Sequence, residues 1–241
     1  MSETITITFC DRAENHVGMQ QIGNIADKGF SLQDLNKARK ALVKKGMKAD
    51  IYDLSIDDSP KAYILVAKQA VETKPLKREL CDLAWDTKAF MYGRVVNKHA
   101  RHNLCFGDSD QESDYEKGRG TVVSFDRLPV LNQLREEIEL WLGDVGKDLV
   151  AEGNRYFDSS KCGIGYHGDA ERFKVIGVRL GATIPLVYQW HHRGEKIGER
   201  MGFDLEDGDV YVMSEKAVGR DWKQKNVYTL RHAAGCEKYI G

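Results

Sequence analysis

From residue 163 to residue 233 the chain reads as short β-prone runs, at about 163–168, 173–181, 184–191, 209–214 and 226–233. Gly-Asp and His-Arg-Gly turns separate them. Short runs broken this often predict a curled antiparallel sheet or small barrel. The helical patterns lie earlier, so helices and strands are segregated along the chain. That order predicts an α+β fold rather than a wound parallel sheet. The mouth of such a barrel is a natural seat for a metal and a small ligand.

The first seventy residues have their own pattern. Residues 3–10, ETITITFC, alternate strictly and predict a strand. Ser31 to Gly46 predicts a helix, with Ser31 as cap, Asp34 in the first turn, a stripe of Leu35, Ala38, Leu42 and Val43, and Gly46 as its end. Strands follow at 48–56 and 61–70. This strand–helix–strand–strand unit is expected to be a small α/β extension over residues 1–72, with the main domain in residues 73–241. Glu14, Asn15 and His16 within it read as a capped turn rather than a site.

Pro75 interrupts the chain. Helices are expected at 76–90 and within 128–150, the second with a stripe of Leu131, Leu134, Ile138, Trp141 and Leu142. Between them, Arg94, Lys98, His99, Arg101 and His102 are interleaved with apolar residues. That segment is either a solvated strand and loop or a surface for an anionic partner such as phosphate. Residues 109–120 form a polar loop.

With 41% apolar and 30% charged residues, the chain has an ordinary globular composition able to bury a core. A net charge of −1 does not announce a nucleic-acid binder, although a local basic groove is compatible with it. The five cysteines, Cys10, Cys81, Cys105, Cys162 and Cys236, form no CxxC pair. They predict reduced thiols in the cytoplasm or another reducing compartment. MSETITITFC lacks a signal pattern and no run is apolar enough to span a bilayer, so no membrane association is expected.

The chemistry concentrates in Asn154 to Gly181, where His167 and Asp169 flank Gly168. Residues two apart on a strand share a face, so one short backbone can offer an imidazole and a carboxylate to one metal. Gly168 suits a place where backbone curves or a substrate approaches. A second histidine would complete the two-His, one-carboxylate facial set of non-haem iron(II) oxygenases, which leaves positions open for a co-substrate and O₂.

NRYFDSSKCGIGYHGDAE, then VIGVRLGAT, then DLEDGDVYVMS, resembles the AlkB-like branch of the Fe(II)- and 2-oxoglutarate-dependent dioxygenases. The resemblance covers roughly residues 90–235. It implies a double-stranded β-helix, or jelly-roll, barrel with flanking helices, and an enzyme using Fe(II), 2-oxoglutarate and O₂. It makes His167 and Asp169 metal ligands and catalytic centre, and Asn154 and Tyr156 binders of 2-oxoglutarate. Glu171 falls on an acidic position that can meet a base edge, and the segment holding Arg101 and His102 falls on a substrate-side lid.

The third ligand departs from the family pattern, because GRDWKQKN at 219–226 contains no histidine. His232 is preferred, with Arg231 or Lys238 as the cation for the distal carboxylate of the co-substrate. A rival alignment matches KNVYTLR to the family's terminal Arg-bearing strand. It makes Arg231 and Lys225 the cations and leaves the third ligand missing or replaced near Gln224. The activity implied is oxidative dealkylation of nucleobases in single-stranded nucleic acid or flipped out of a duplex. The alternatives are a protein hydroxylase or demethylase of the same superfamily, and a catalytically silent barrel that binds nucleic acid.

Overall fold

The computed structural model describes residues 2–241. The first half contains strands β1 (Thr4–Cys10), β2 (Arg12–Glu14) and β3 (Gln21–Gly23), helix α1 (Leu32–Lys44), strands β4 (Lys48–Asp53) and β5 (Tyr63–Lys68), and helix α2 (Thr73–Cys81). Strands β6 (Lys88–Met91), β7 (Arg94–Asn97), β8 (His102–Gly107) and β9 (Val122–Ser124) lead to helix α3 (Pro129–Leu142). The second half contains β10 (Val150–Tyr156), β11 (Gly163–His167), β12 (Val175–Gly181), β13 (Ile184–His192), β14 (Glu195–Leu205) and β15 (Val210–Met213). Helix α4 (Glu215–Val218), β16 (Thr229–Gly235) and helix α5 (Glu237–Ile240) close the chain. The fold is mostly β, with few helices.

Two sheets carry the architecture. The larger runs β4-β5-β15-β12-β1-β10-β8-β9 and the smaller β11-β16-β13-β14. All neighbours are antiparallel except β8 and β9. The sheets face each other across a cavity of about 430 Å³, lined by Thr6, Asn154 and Arg179 from the larger sheet and His167, His232 and Leu186 from the smaller. Helices α1, α2 and α3 pack on the outer face of the larger sheet. Leu35 and Leu42, Leu76 and Leu80, and Leu131 and Trp141 join Ile5, Ile7 and Phe9 in one core. Each fully buried leucine there contributes about 1.5–3 kcal/mol.

The alternation in β1 now has a cause. Ile5, Ile7 and Phe9 face the helices, while Thr6 and Thr8 face the cavity. Both faces are covered, so all seven residues are buried. Strand β1 lies between β10 and β12, pairing Thr4 with Tyr156 on one side and with Gly181 on the other. The division at residue 72 is therefore corrected. Residues 1–72 are no appended unit, since β1 occupies the middle of the main sheet and β4 and β5 extend it past β15.

Helix α1 forms where its pattern predicts, with Ser31 and Asp34 closing a reciprocal capping box and Leu35, Ala38 and Leu42 buried, whereas Val43 of the expected stripe is exposed. The helix expected at 76–90 stops at Cys81. Beyond it the Asp86 carboxylate accepts from the backbone and hydroxyl of Thr121 and from the Tyr115 hydroxyl, which holds the chain extended. Residues 88–97 form a hairpin whose two turn residues, Tyr92 and Gly93, both have positive φ. Strands β10 and β14 have no counterpart in the sequence reading. All five cysteines are free thiols. Among the described residues no helix is long and apolar enough to cross a membrane.

Candidate metal centre and its cavity

Strands β11 and β16 pair so that His167 lies opposite His232. A register shift between Ile164 and His167 turns the end of β11, and Asp169 leaves the strand just beyond. The two imidazole rings are 4.5 Å apart at an interplanar angle of 62°. Their Nε2 atoms lie 3.4 and 3.6 Å from the same oxygen, Asp169 Oδ1. One ligand atom from each of His167, Asp169 and His232 falls within 4.8 Å of the other two.

Backbone contacts fix this geometry. The Asp169 N–H donates to the Val218 carbonyl at 3.0 Å. Gly168 lies against the backbone of Gly219, where a Cβ would meet the Gly219 carbonyl. The glycine between the two ligands is thus required by close packing of two chain segments. The His167 Nδ1 proton is directed at the Gly165 carbonyl, 2.8 Å away, which leaves Nε2 as the lone-pair donor toward the cluster.

The electrostatics favour metal-ready protonation states. Burial alone would raise the Asp169 carboxyl. The Arg172 guanidinium and the two imidazoles outweigh it and hold the group well below the usual carboxylate range. Burial, aided by His167, pushes His232 below the ordinary histidine value. Arg172 is the hub behind the cluster, 2.7 Å from Glu152, 2.6 Å from Glu171 and 3.7 Å from Asp169. Glu152 also accepts from His16 Nε2 and Asn154 Nδ2, each at 2.8 Å. Burial opposes its charge, yet His16 and Arg172 keep it well below its ordinary value.

Most residues expected from sequence meet at this cavity. His167, Asp169, His232, Asn154, Tyr156, Arg101 and Glu171 all line it. Asn154 is held by Arg101 Nε and Asn103 Nδ2, both donating to its Oδ1 at 2.7 Å. Three expectations fail. Arg231 points away from the cavity, because alternate residues of β16 face opposite sides and His232 takes the inward position. Lys238 lies on α5 with its ammonium over Tyr239. His102 also lies outside the lining, stacked on Phe157 at 4.7 Å. The alignment that left the third ligand near Gln224 is not followed by the chain, since His232 completes the cluster.

Sequence reasoning missed Arg179. It is 1% exposed and faces the cavity from β12. Its Nη1 donates to Thr6 Oγ1 at 2.8 Å, and among the described residues its Nε has no partner and no carboxylate forms an ion pair with it. Strand register places it directly across from Thr6. Burial lowers its proton affinity, while Tyr211, Tyr156 and Asp209 act against that. Glu14, His16 and Trp222 also line the cavity. The capped turn expected at Asn15 is present, its Oδ1 accepting from the Val17 N–H at 2.9 Å, but its neighbours serve the cavity.

No family model matches the chain. It is similar to an uncharacterized protein of Acanthamoeba polyphaga mimivirus, with 49% identity over 251 residues that cover 100% of this chain and 98% of the relative. At that identity across nearly the whole of both proteins, the chain belongs to the same family as the mimivirus protein.

Proposed function

We propose that the chain is an Fe(II)- and 2-oxoglutarate-dependent dioxygenase of the AlkB-like type that dealkylates nucleobases in nucleic acid. The observation that carries this reading is the facing of two features across one cavity. Two histidines and a carboxylate converge on one wall, and a buried guanidinium that no carboxylate of the described residues pairs with stands on the other.

The residues fit the groups this chemistry requires. Two imidazoles and one carboxylate on one side of an octahedral metal leave three positions free, as the facial triad does. A buried guanidinium is costly unless an anion joins it, and a carboxylate meets that need bidentately. Arg179 is the natural anchor for the distal carboxylate of 2-oxoglutarate, with Thr6 and the hydroxyls of Tyr156 and Tyr211 around it. The jelly-roll reading is supported by the two facing antiparallel sheets, with one departure. The family pattern places the cation on a strand after the third ligand. Here α5 follows β16, and the N-terminal β1 fills the larger sheet between β10 and β12. The cation is then offered from β12, one rung across from Thr6.

When bound, iron(II) with 2-oxoglutarate and O₂ supplies oxidation of a substrate C–H bond, coupled to loss of CO₂ from the keto acid. The protein's part is placement and exclusion of water. His167, Asp169 and His232 hold the metal, Arg172 keeps Asp169 ionised, and Arg179 orients the co-substrate. His16, Met19, Trp222 and Lys223 line the cavity beside the centre, with Met19 and Lys223 exposed at its rim. An alkylated base must leave its stack to enter such a cavity. Arg101 and Lys223 place positive charge at the lining, suited to the phosphates of a nucleic-acid strand.

The test combines spectroscopy and turnover. Under anaerobic conditions the wild-type protein with iron(II) and 2-oxoglutarate is expected to give the visible charge-transfer band, and His232→Ala to lose it. With O₂, an N-methylated single-stranded oligonucleotide is expected to yield formaldehyde and succinate in equal amounts. Turnover of a protein substrate with no formaldehyde from any methylated oligonucleotide would replace this reading with the protein demethylase. Absence of the band in wild type would leave the silent barrel.

A further inference from the structure

Five thiols are free, and two of them face each other. The β11–β16 ladder pairs Gly163 with Gly235. One rung further out lie Cys162 and Cys236, and the Cys236 N–H donates to the Cys162 carbonyl at 3.1 Å. Opposed residues of an antiparallel pair project to the same face, and those joined by such a bond lie about 5.5 Å apart at Cα. A disulfide spans about 4.4–6.8 Å between Cα atoms, so this rung falls inside its range. Among the described residues the other three thiols have no such partner. Cys10 and Cys105 share a small buried cluster, but β10 separates their strands. Cys81 is exposed at the end of α2.

The neighbouring rung brings the two strands close. A Cβ on Gly235 would collide with the Gly163 Cα, so the backbones approach there with no side chain between them. The two thiols differ in access. Cys162 is 1% exposed and packs with Tyr156 and Ile184, and burial raises its thiol above the ordinary range. Cys236 is half-buried at the start of α5, and its side chain makes no capping hydrogen bond. An oxidant therefore meets Cys236 first, with the protected Cys162 behind it. Oxidation is selective for the accessible thiol, and the sulfenic acid it gives condenses with a second thiol in reach.

We propose that Cys162 and Cys236 are a modification site, a thiol pair that hydrogen peroxide converts into a reversible disulfide stapling the ladder of the metal ligands. Peroxide transfers one oxygen to the Cys236 sulfur, giving a sulfenic acid and water. The Cys162 sulfur then attacks that sulfur, the S–S bond forms and the S–O bond breaks, and the departing hydroxide takes the Cys162 proton as a second water. The two thiols lose a pair of electrons and a pair of protons, and the peroxide accepts both. A dithiol reductant reverses the change. The same ladder carries His167 opposite His232, with a register shift between the two rungs. A covalent rung at one end thus restrains the facing imidazoles further along, and Cys162 sits against Tyr156 of the cavity lining. The chemistry at this rung requires neither metal nor substrate, so it stands apart from the dealkylase reading.

The experiment uses the full chain with a chelator present, so that iron-driven oxidation does not compete. The protein is treated with hydrogen peroxide, remaining thiols are alkylated in urea, and tryptic peptides are weighed before and after reduction. The expected product joins the peptide 162–172 to the peptide 232–238, lighter than their sum by a pair of hydrogens and split by dithiothreitol. The oxidised protein should melt above the reduced one by roughly 4–16 °C, the shift that a typical disulfide gives a chain of this size. Cys236→Ser should show neither change, and Cys81→Ser should keep both. Sulfinic or sulfonic acid on Cys236 beside an alkylated Cys162, or links through Cys81 alone, would overturn the pairing. A link that forms while Tm stays level or falls would overturn the staple.

Discussion

Replacing Arg179 by methionine should move two quantities in opposite directions. In the ligand-free protein the guanidinium is 1% exposed, with one hydrogen bond to a neutral hydroxyl and a bare Nε. Burying an ion costs several kcal/mol, and well-packed apolar replacements of buried charged groups are often neutral or stabilising by about 1–4 kcal/mol. For a domain of this size 1 kcal/mol shifts Tm by about 2–4 °C, so Arg179→Met should raise the ligand-free Tm by roughly 2–16 °C. The co-substrate response should disappear. Wild type with iron(II) and 2-oxoglutarate at a hundred times Kd gains about 2.7 kcal/mol of stability, a rise of roughly 5–10 °C. Losing a bidentate charged pair weakens binding by about a hundred-fold or more. At the same concentration the rise then shrinks to about 1 °C. Anaerobic scanning fluorimetry reads both numbers. A variant with a lower ligand-free Tm that still responds to 2-oxoglutarate would refute the assignment of Arg179.

Three further outcomes are expected. Gly168→Ala places a methyl against the Gly219 carbonyl and should push the segment bearing His167 and Asp169 away from the end of α4, with a loss of about 1–3 kcal/mol measured by urea denaturation and weaker iron(II) binding by titration. A chain of residues 73–241 lacks the middle strand of the larger sheet and should show no cooperative unfolding transition, whereas an independent domain would melt normally. On acidification the metal-free protein should lose stability as pH falls below about 6.5. Burial holds His102, His191 and His232 below their ordinary value of 6.5, so the unfolded chain binds protons that the fold does not. Asp169 and Glu152, held below their ordinary values, add a further loss as pH drops through their folded range. A urea midpoint that stays flat from pH 7.5 to 5.5 would contradict the histidine part.

What could be read from sequence was what local pattern encodes. Helix α1 follows from its cap and stripe, and β12, β13 and β15 from apolar runs between turns. His167 and Asp169 follow from a two-residue spacing that strand geometry converts into proximity. His232 was reachable by elimination, since no other histidine follows His192. The failures are non-local. Arg179 sits in VIGVRLG, which reads as an ordinary buried strand, and its purpose depends on facing Thr6 across a ladder joining distant segments. Strand β14, EKIGERMGFDL, is largely exposed at a sheet edge, so burial imposes little apolar pattern on it. Strand β10 was hidden because Glu152 and Asn154 turn toward a polar cavity rather than an apolar core. The boundary at residue 72 failed because strand–helix–strand grouping along the chain says nothing about which sheet a strand joins.

The position of β1 also sets the order in which the molecule can be assembled. Thr4–Cys10 is synthesised well before its partners β10 and β12, which end at Tyr156 and Gly181. At 5–20 residues per second the ribosome takes roughly 10–35 s to supply both. Over that interval a seven-residue segment rich in threonine and isoleucine stands with two unpaired edges, and loop closure over so much chain is slow. The nascent protein is therefore exposed to mispairing along this strand, and growth temperature and strand-shielding chaperones should govern its yield more than the stability of the finished fold.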